Sequence, residues 1–328
     1  MTNEITRTLP VSKWMVYNSY LKVIAKDGSA GIDDQSIEQF HENLSGNLNK
    51  IWNRMTSGCY YPSPVRPVFV SKKQSGKRLP GISTISDRIA QVVVKDYLEP
   101  TLEKIFHSSS FDYKTGRNAY NAIRQYHNNC IKYAWVLDVN IKGFFYDISH
   151  DIMLELLQKH TREQWIILCA ERWLKAGVEQ EDGSITLGTK GIPQYGAVGP
   201  LFANIYLHHC FDKWMDEVNP QNPFERYGDD ISIHCSSRGE AVELLELLKA
   251  RMWEYELELL PEKAKIVYRK SYKRNERLYY NDFKFLKYSF QAGTAKYKFG
   301  RKNSLLVFCA AIYRLVKTSF SAKLRPML

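Results

Sequence analysis

The sequence lacks several features that would assign it directly to a class of protein. It has only six cysteines in 328 residues, all widely spaced, and it contains no Cys-x-x-Cys or zinc-type Cys/His grouping. It also contains no run of 18 apolar residues and no recognisable signal sequence. From these absences we expect reduced thiols in a cytoplasmic protein without a membrane-spanning segment, rather than a disulfide-rich domain or a zinc module.

Acidic residues are scarce in three segments, although the overall composition is that of an ordinary globular protein. Residues 61–90 hold six Lys or Arg against one acid, residues 261–280 hold seven against two, and residues 291–328 hold eight against none. The net charge is +11. Basic segments interleaved with Tyr and Phe favour contact with a phosphate backbone and with stacked bases, while a solvated basic surface is the structural alternative.

The pattern of apolar residues predicts an α+β fold with antiparallel strand pairing at its centre. Residues 12–55 and 87–106 have helical character, whereas residues 135–141 and 265–268 have the composition of strands. Further helices are expected over residues 151–173, 200–215, 240–259 and 305–320, and a hairpin strand over residues 283–290.

Residues 226–230 read Arg-Tyr-Gly-Asp-Asp and stand between two short β-runs. The two adjacent carboxylates, Asp229 and Asp230, would lie at the tip of a hairpin and point into a cleft. Hard divalent cations prefer oxygen ligands held in this way, and such a site can hold two Mg²⁺ ions about 3.5–4 Å apart for in-line phosphoryl transfer. Gly-Asp-Asp is also a common plain turn, because Gly and Asp favour turn geometry.

Several motifs follow one another in the order found in one protein family. They are Gly31-Ile-Asp33, Trp52-Asn-Arg-Met55, Lys72-Lys73 with Lys77-Arg78, residues 84–91, Leu98-Glu-Pro100, residues 135–150, Pro193-Gln194 with Pro200-Leu-Phe-Ala-Asn204, residues 226–230, Pro261-Glu-Lys263 and Phe285-Leu286. In these motifs the chain resembles the reverse transcriptases of bacterial group II introns, from about Trp14 to Phe290. The resemblance implies a right-hand polymerase fold with fingers, an antiparallel palm sheet and a partial thumb.

The resemblance also implies a domain organisation and an activity. It implies an N-terminal helical extension over residues 1–57, fingers and palm over residues 58–290, and a truncated basic thumb-like segment over residues 291–328. The activity would be RNA-directed DNA synthesis, in which dNTPs are added to a DNA or RNA primer on an RNA template. Two Mg²⁺ ions would be required, with Mn²⁺ as a substitute, and a cognate intron or non-coding RNA would be a further partner.

The same resemblance implies roles for individual residues. Asp229 and Asp230 would be metal ligands, and Lys263 would protonate the leaving pyrophosphate, unless it is a plain surface lysine. Phe145 stands at the position of the steric gate that excludes a ribose 2′-OH, and a core aromatic is its alternative. The remaining assignments are nucleotide contacts by Lys72, Lys77, Arg78 and Gln194 and a primer grip formed by Phe285 and Leu286.

The chain departs from the family pattern at the metal-binding aspartate of the central strand. That aspartate lies five residues before the gate aromatic, and counting back from Phe145 gives Asn140. Asp138 is the nearest carboxylate, and it shares a strand face with Asn140 at a separation of about 6.6 Å. We therefore include Asn140 among the expected metal ligands and Asp138 among the expected catalytic residues.

The amide in place of a carboxylate leaves two functions open. The loss of one negative charge beside two divalent cations predicts weaker metal binding and weaker neutralisation of the transition state. A polymerase is the first interpretation. The alternative is a catalytically degenerate relative that keeps the basic cleft and acts as an RNA-binding, maturase-like protein.

Overall fold

The computed structural model describes residues 11–67, 70–71, 77–78, 81–180, 182–192, 196–268, 283–286, 288–291, 294–295, 305–306 and 309–312. The α-helices in these ranges are α1 (Lys13–Ile24), α2 (Ile37–Glu42), α3 (Leu44–Thr56), α4 (Ile85–Ile105), α5 (Ala119–Lys132), α6 (Phe144–Asp147), α7 (His150–Gln158), α8 (Gln164–Leu174), α9 (Gly199–Leu207), α10 (Lys213–Val218) and α11 (Arg238–Glu254). A π-helical turn, His208–Asp212, joins α9 to α10, and a 3₁₀ turn, Pro261–Lys263, follows α11.

Capping residues explain where the longest helices begin. The Thr84 hydroxyl accepts a hydrogen bond from the Asp87 backbone amide at the start of α4. At the start of α11, Ser237 caps the Glu240 amide while the Glu240 carboxylate accepts from the Ser237 amide, which is a complete capping box. These caps satisfy backbone donors that have no partner inside the helix, so each helix starts earlier than its apolar spacing alone indicates.

The strands are short, and most of them form two-stranded ribbons. They are β1 (Arg66–Pro67), β2 (Val70–Ser71), β3 (Lys77–Arg78), β4 (Gly81–Ile82), β5 (Trp135–Asn140), β6 (Gly177–Glu179), β7 (Ile185–Leu187), β8 (Phe224–Tyr227), β9 (Asp230–Cys235), β10 (Lys265–Tyr268), β11 (Phe283–Phe285), β12 (Tyr288–Gln291), β13 (Thr294–Ala295), β14 (Leu305–Leu306) and β15 (Cys309–Ile312). Antiparallel ribbons form between β1 and β4, β2 and β3, β6 and β7, and β13 and β14, while β11, β12 and β15 form a three-stranded sheet.

The central sheet has four antiparallel strands in the order β10-β5-β9-β8. In its register, Asn140 of β5 lies opposite Asp230 of β9, and Asp138 lies opposite Ser232. A two-residue turn joins β8 to β9, and its first residue, Gly228, has a φ of 60°. Glycine adopts this left-handed backbone conformation at little cost, which allows the turn to be so tight.

The two faces of the central sheet pack against different partners. One face presents Leu137, Ile231 and neighbouring apolar side chains to the main hydrophobic core. The other face presents Val136 and Val267 to a smaller core formed with α5. Towards the turn, this second face carries polar side chains from β5 and β9, so the sheet places its polar groups at one end.

The helix expected over residues 305–320 is wrong for the described part of that segment. Leu305–Leu306 forms β14, and Cys309–Ile312 forms β15, which pairs with β12 in antiparallel register. The segment from 304 onwards is so uniformly apolar that its spacing does not distinguish a helix from a strand. Pairing with β12 decides the outcome, because it satisfies backbone groups along the edges of both strands.

The other expected elements are confirmed with shifted ends. Residues 151–173 form two helices, α7 and α8, and residues 200–215 form α9, the π-helical turn and the start of α10. The strands over 135–141 and 265–268 are β5 and β10, and the hairpin over 283–290 is β11 with β12. Mixed helix and antiparallel sheet is therefore confirmed as the fold class. Among the described residues, no helix combines the length and the apolar character needed to cross a membrane.

Candidate active site

The two acids of the β8–β9 turn lie beside the end of β5, as the sequence predicted. Asp230 begins β9 and is opposite both Asn140 on β5 and Tyr227 on β8. The backbone of the turn is tied to the same place, because the Ile141 amide donates to the Asp229 carbonyl at 3.3 Å. Both acidic residues are partly exposed, so their carboxylates are placed at the turn end of the sheet and not in the core.

Asn140 is held between a carboxylate and an ammonium group. Its Nδ2 donates to Asp230 Oδ1, and its Oδ1 accepts from Lys263 Nζ at 3.3 Å. Its side chain is nearly buried, with 7% exposure. The 3₁₀ turn that carries Lys263 is fixed to this strand end, since the Leu260 amide donates to the Asn140 carbonyl at 2.8 Å. The structure thus brings together Lys263, Asn140 and Asp230, which are distant in sequence.

Asp138 lies one row further from the turn on the same face of the sheet. The Ser232 hydroxyl donates to Asp138 Oδ1 at 2.9 Å. Its neighbours across the two adjoining strands are Ser232 on β9 and Lys265 on β10. Because Asn140 takes the place opposite Asp230, the nearest carboxylate on β5 is displaced from the turn by about 6.6 Å.

Phe145 lies close to this strand end but contributes to the core. It belongs to the short helix α6, and its side chain is only 9% exposed. Its carbonyl accepts from the Ile192 amide at 2.8 Å, which joins α6 to the segment that leads into residues 193–195. The ring also packs edge-on against Phe144. This packing is compatible with the core role and leaves the gate role as a prediction.

The remaining predicted residues are spread over less fully described parts of the chain. Lys72 and Gln194 lie outside the described residues. Lys77 and Arg78 form β3, whose backbone pairs with β2, and Phe285 ends β11. Leu286 follows it in a left-handed conformation, with a φ of 51°, and packs against the smaller core.

A buried ion pair is hydrogen-bonded to the backbone of the turn. Arg226 on β8 and Asp212 in the π-helical turn both have fully buried side chains, and two hydrogen bonds of 2.7 Å join them. Arg226 Nη1 also donates to Asn204 Oδ1 at 3.1 Å and to the Gly228 carbonyl at 3.4 Å. Burial would raise the pKa of Asp212, but the guanidinium outweighs it and holds that pKa at about 2.

Sequence patterns alone assign no role to Arg226, Asp212 or Asn204 in this site. One signal is visible for Arg226, because it stands on the apolar face of a strand, where an arginine needs a buried partner. Its partners lie 14 and 22 residues away, in the π-helical turn and in α9. Asn204 ends one of the family motifs, but its contact with Arg226 is not visible in the sequence, and nothing in the sequence singles out Asp212.

Asp112 is a third acid beside the turn, and the sequence did not indicate it. The Tyr227 side chain hydrogen-bonds to its carboxylate, and a Cβ placed on Gly228 would lie 3.0 Å from Asp112 Oδ2. Burial is the main cause that raises the pKa of Asp112 to about 6, and the charge of Asp229 adds to it. Asp112 therefore bounds the outer side of the turn.

The turn and the facing strand end supply two carboxylates, from Asp229 and Asp230, and one amide oxygen, from Asn140. Hard oxygen donors from two adjacent strands fit a hard divalent cation such as Mg²⁺. Over the described ranges of the chain, no group of three or more His, Cys, Asp or Glu side chains could hold a metal ion. With an amide at the third position, this donor set has one negative charge less than three carboxylates would have.

Comparison with known families identifies the family to which this chain belongs. The sequence model described as "Reverse transcriptase (RNA-dependent DNA polymerase)" matches residues 70–299. The chain belongs to the reverse transcriptase family. The matched range includes every predicted site residue, from Lys72 to Leu286.

Similarity to individual proteins confirms the resemblance to group II intron proteins. The chain is 31% identical over 202 residues to the group II intron-encoded protein LtrA of Lactococcus lactis subsp. cremoris, covering 61% of this chain and 33% of that protein. It is 24% identical over 220 residues to the protein YkfC of Escherichia coli (strain K12), covering 65% of this chain and 57% of that protein. It is also 29% identical over 112 residues to nuclear intron maturase 1, mitochondrial, of Arabidopsis thaliana, covering 32% of this chain and 16% of that protein.

The match thus spans about a third of the length of LtrA and just over half of YkfC. The family match covers the central sheet and the hairpin turn that carries Asp229.

Proposed function

We propose that this chain is an RNA-directed DNA polymerase that adds dNTPs to a DNA or RNA primer on an RNA template. The observation that carries the proposal is the position of the two-acid turn beside the end of β5 in a member of the reverse transcriptase family. In this proposal the central sheet is the palm of a right-hand fold, and the ribbons formed by β1 to β4 belong to the fingers.

The proposal keeps the division of the chain expected from the sequence. Residues 1–57 would be a helical extension, residues 58–290 the fingers and palm, and residues 291–328 a basic, thumb-like segment. The excess of basic residues supports RNA as template and a cognate intron or non-coding RNA as a further partner. The cytoplasmic location expected from the sequence is part of the same proposal.

Asp229, Asp230 and Asn140 would hold two Mg²⁺ ions, for which Mn²⁺ can substitute. Such ions, when bound, promote attack by the primer hydroxyl and neutralise charge on the reacting phosphates. Asn140 would contribute a neutral oxygen, which requires its amide to leave the hydrogen bonds with Asp230 and Lys263. Asp138, held by Ser232, would add negative charge one row away.

Lys263 would donate a proton to the leaving pyrophosphate. Its contact with Asn140 supports this role, since the contact keeps the ammonium at the strand end that faces the two-acid turn. The other assignments come from the family pattern. They are triphosphate contacts by Lys72, Lys77 and Arg78, a nucleotide contact by Gln194, exclusion of the 2′-OH by Phe145, and a primer grip at Phe285 and Leu286.

The proposal is tested by restoring the missing charge with Asn140→Asp. A unit charge about 4 Å from a cation is worth about 4 kcal/mol at an effective dielectric constant of about 20. If this difference is expressed in the transition state, incorporation should rise roughly a thousandfold. The measurement is extension of a primer on a homopolymer RNA with Mg²⁺ or Mn²⁺, comparing the parent with the variant.

Two further variants serve as controls. Asn128→Asp makes the same chemical change on the exposed surface of α5, and it should leave incorporation at the level of the parent. Asp229→Ala should abolish incorporation in both the parent and the Asn140→Asp background. If Asn140→Asp incorporates no better than the parent, the assignment of Asn140 to the metal site is wrong.

The second candidate function is RNA binding without polymerisation. It is favoured by one observation, that both polar atoms of the Asn140 amide are engaged by Lys263 and Asp230 in a stable chain of hydrogen bonds. This function predicts salt-sensitive RNA binding that is unchanged by Asp229→Ala, with no incorporation by the parent in either metal. If the parent incorporates nucleotides and Asp229→Ala abolishes this incorporation, RNA binding is not the whole function.

A further inference from the structure

Glu256 has a left-handed backbone at the C-terminal end of α11. Its φ is 52°, and it directly follows Tyr255, the C-terminal cap of that helix. Glycine is the usual residue at this position, because a residue with a Cβ is less favourable there by a factor of about 5–30. A glutamate therefore strains the helix end, unless contacts of its side chain offset the strain.

The carboxylate of Glu256 connects two segments that are distant from it in sequence. Glu256 Oε2 accepts a hydrogen bond from Lys190 Nζ at 2.6 Å, and Oε1 accepts one from the Ser149 hydroxyl at 3.1 Å. We call these three residues the Glu256 bridge. The hydrogen bond from Lys190 is the main cause that lowers the pKa of Glu256, so the carboxylate is charged at neutral pH.

Stability alone does not explain why a glutamate stands at this position. The side chains of Glu256 and Lys190 are 44% and 51% exposed, and an ion pair in such a setting favours the paired state by at most about fivefold. With a similar contribution from the Ser149 hydroxyl, the contacts bring the helix end back to about the level of glycine. A strained residue that gives no net stability is a candidate for a functional role.

The segments that the Glu256 bridge connects lie on either side of the short helix α6, which carries Phe145. Ser149 and Lys190 pair in an isolated antiparallel bridge. Two residues beyond Lys190, the Ile192 amide donates to the Phe145 carbonyl at 2.8 Å. A Cβ placed on Gly191 would lie 2.9 Å from the same carbonyl oxygen, so the two backbones approach as closely as glycine allows. A displacement of the segment 188–192 would therefore release Phe145.

A buried tyrosine on α9 joins the same elements from inside the core. The Tyr206 hydroxyl donates to the Tyr255 carbonyl at 2.6 Å and accepts from the Ser149 amide. Its ring packs edge-on against Phe144 of α6. Helix α6 is thus held from the core by Tyr206 and from the surface by the Glu256 bridge. Of these two connections, the exposed one is the one that can open without disturbing the core.

We propose that Glu256 is a positioning residue that acts through the Glu256 bridge to hold Phe145 where its ring excludes a ribose 2′-OH. The inference rests on the proposed function, because Phe145 is a gate only in a polymerase that selects dNTPs. When the bridge opens, the segment 188–192 separates from α6, and the ring gains room to move away from a ribose. The bridge therefore determines sugar selectivity, and its loss should favour rNTPs without slowing dNTP incorporation.

The test measures the ratio of kcat/KM for dATP to that for ATP on a primed poly(U) template. Glu256→Gln keeps the size of the side chain but removes its charge. The ratio should fall about two- to fivefold, through a rise in kcat/KM for ATP. Hydrogen exchange at the Gly191 and Ile192 amides should accelerate by the same factor, because the same opening frees both amides.

A surface ion pair on α8 provides the matched control. Glu171 and Lys175 are 2.7 Å apart, with side chains 39% and 60% exposed. Glu171→Gln therefore removes an ion pair of similar distance and exposure away from α6. It should keep the ratio and the exchange rates of the parent.

Three further variants separate positioning from a general structural effect. The charge reversal Glu256→Lys/Lys190→Glu restores an ion pair and should recover the ratio that each single substitution lowers. Glu256→Gly should lower the ratio while Tm stays near that of the parent, because relieved strain offsets the lost contacts. Phe145→Leu shortens the gate but keeps an apolar side chain in the core, and in this background Glu256→Gln should have no further effect on the ratio.

The possible outcomes distinguish failure of the bridge from failure of the polymerase. The inference is overturned if Glu256→Gln behaves like Glu171→Gln, or if exchange accelerates while the ratio stays unchanged. It is also overturned if the charge reversal recovers nothing. In each of these cases continued dNTP incorporation leaves the polymerase intact. If no variant incorporates nucleotides, Asn140→Asp included, the proposed function fails and sugar selection fails with it, while exchange at Ile192 still reports whether the bridge holds α6.

Discussion

The ion pair beside the two-acid turn makes the sharpest stability prediction. In Asp212→Asn the shape of the side chain is kept, but Arg226 is left as a buried charge without a counter-ion. Both side chains have 0% exposure, so water cannot replace the missing carboxylate. Breaking such a pair costs about 3–5 kcal/mol. We expect a value near the lower end, since the asparagine oxygen can still accept one of the two hydrogen bonds.

This cost should be visible in thermal unfolding. An unfolding entropy of about 2.1 cal/mol/K per residue gives about 0.7 kcal/mol/K for 328 residues. A cost near 3 kcal/mol should therefore lower Tm in Asp212→Asn by about 4–5 °C, and urea denaturation should show the same loss in the free energy of unfolding. Because Arg226 also donates to the Gly228 carbonyl, the Ile141 amide, which donates to the turn, should exchange its hydrogen faster in the variant.

An exposed pair provides the control for this prediction. Glu246→Gln breaks the ion pair with Lys249 on α11, where the two side chains are 65% and 50% exposed, and it should cost less than about 1 kcal/mol. The double variant Asp212→Leu/Arg226→Met removes both buried charges and should recover most of the stability. The reasoning is refuted if Asp212→Asn unfolds like Glu246→Gln, or if the double variant is no more stable than Asp212→Asn.

Two further predictions concern the sheet itself. His234 and Glu225 are fully buried and 2.7 Å apart; burial alone would lower the pKa of His234, but Glu225 raises it to about 9. The pKa of His234 in the folded state exceeds its unfolded value of about 6.5, so the pair stabilises the fold fully below pH 6.5. This stabilisation is about 3 kcal/mol, and it is lost as the pH rises through 9. Glu225→Gln should flatten this part of the pH profile of unfolding, and an unchanged profile would contradict the pairing. Gly228→Ala should cost about 1–2 kcal/mol, because it places a Cβ on a left-handed residue. Asp112→Ala in that background should recover part of the loss by removing the contact with Asp112, and no recovery would show that backbone strain alone is responsible.

The sequence predicted the position of the acids because local and long-range signals agree there. The motif around Asp229 lies between two short β-runs, the second of which alternates from Ile231 to Cys235, and this pattern predicts a hairpin. The strand 135–140 is strongly apolar and short, so its pairing with β9 in the main core follows from burial. Residues 305–312 lack this agreement, because a uniformly apolar segment adopts whichever structure its neighbours complete.

The contacts that complete the site could not be predicted from spacing. Lys263 and Asn140 are 123 residues apart, and their contact depends on how the 3₁₀ turn docks on β5. The distribution of positive charge is a second example. Six basic side chains line a cavity of about 590 Å³ between α1, α4, the loop 112–117 and the start of α9, and only Arg88 among them lies in one of the three segments that are visibly rich in basic residues. Composition therefore indicates an excess of positive charge but not where the fold brings it together.

The amide at position 140 changes the charge of the strand end without changing the excess of basic residues elsewhere in the chain. Asp229, Asp230 and Lys263 give the strand end a net charge of minus one, where an aspartate at 140 would give minus two. Affinity for divalent cations depends on this charge and falls with it. RNA binding depends on contacts between phosphates and cations, and the amide at 140 is not a cation. Asn140→Asp should therefore raise the affinity for a divalent cation and leave salt-sensitive RNA binding unchanged, so this one position distinguishes the two proposed functions.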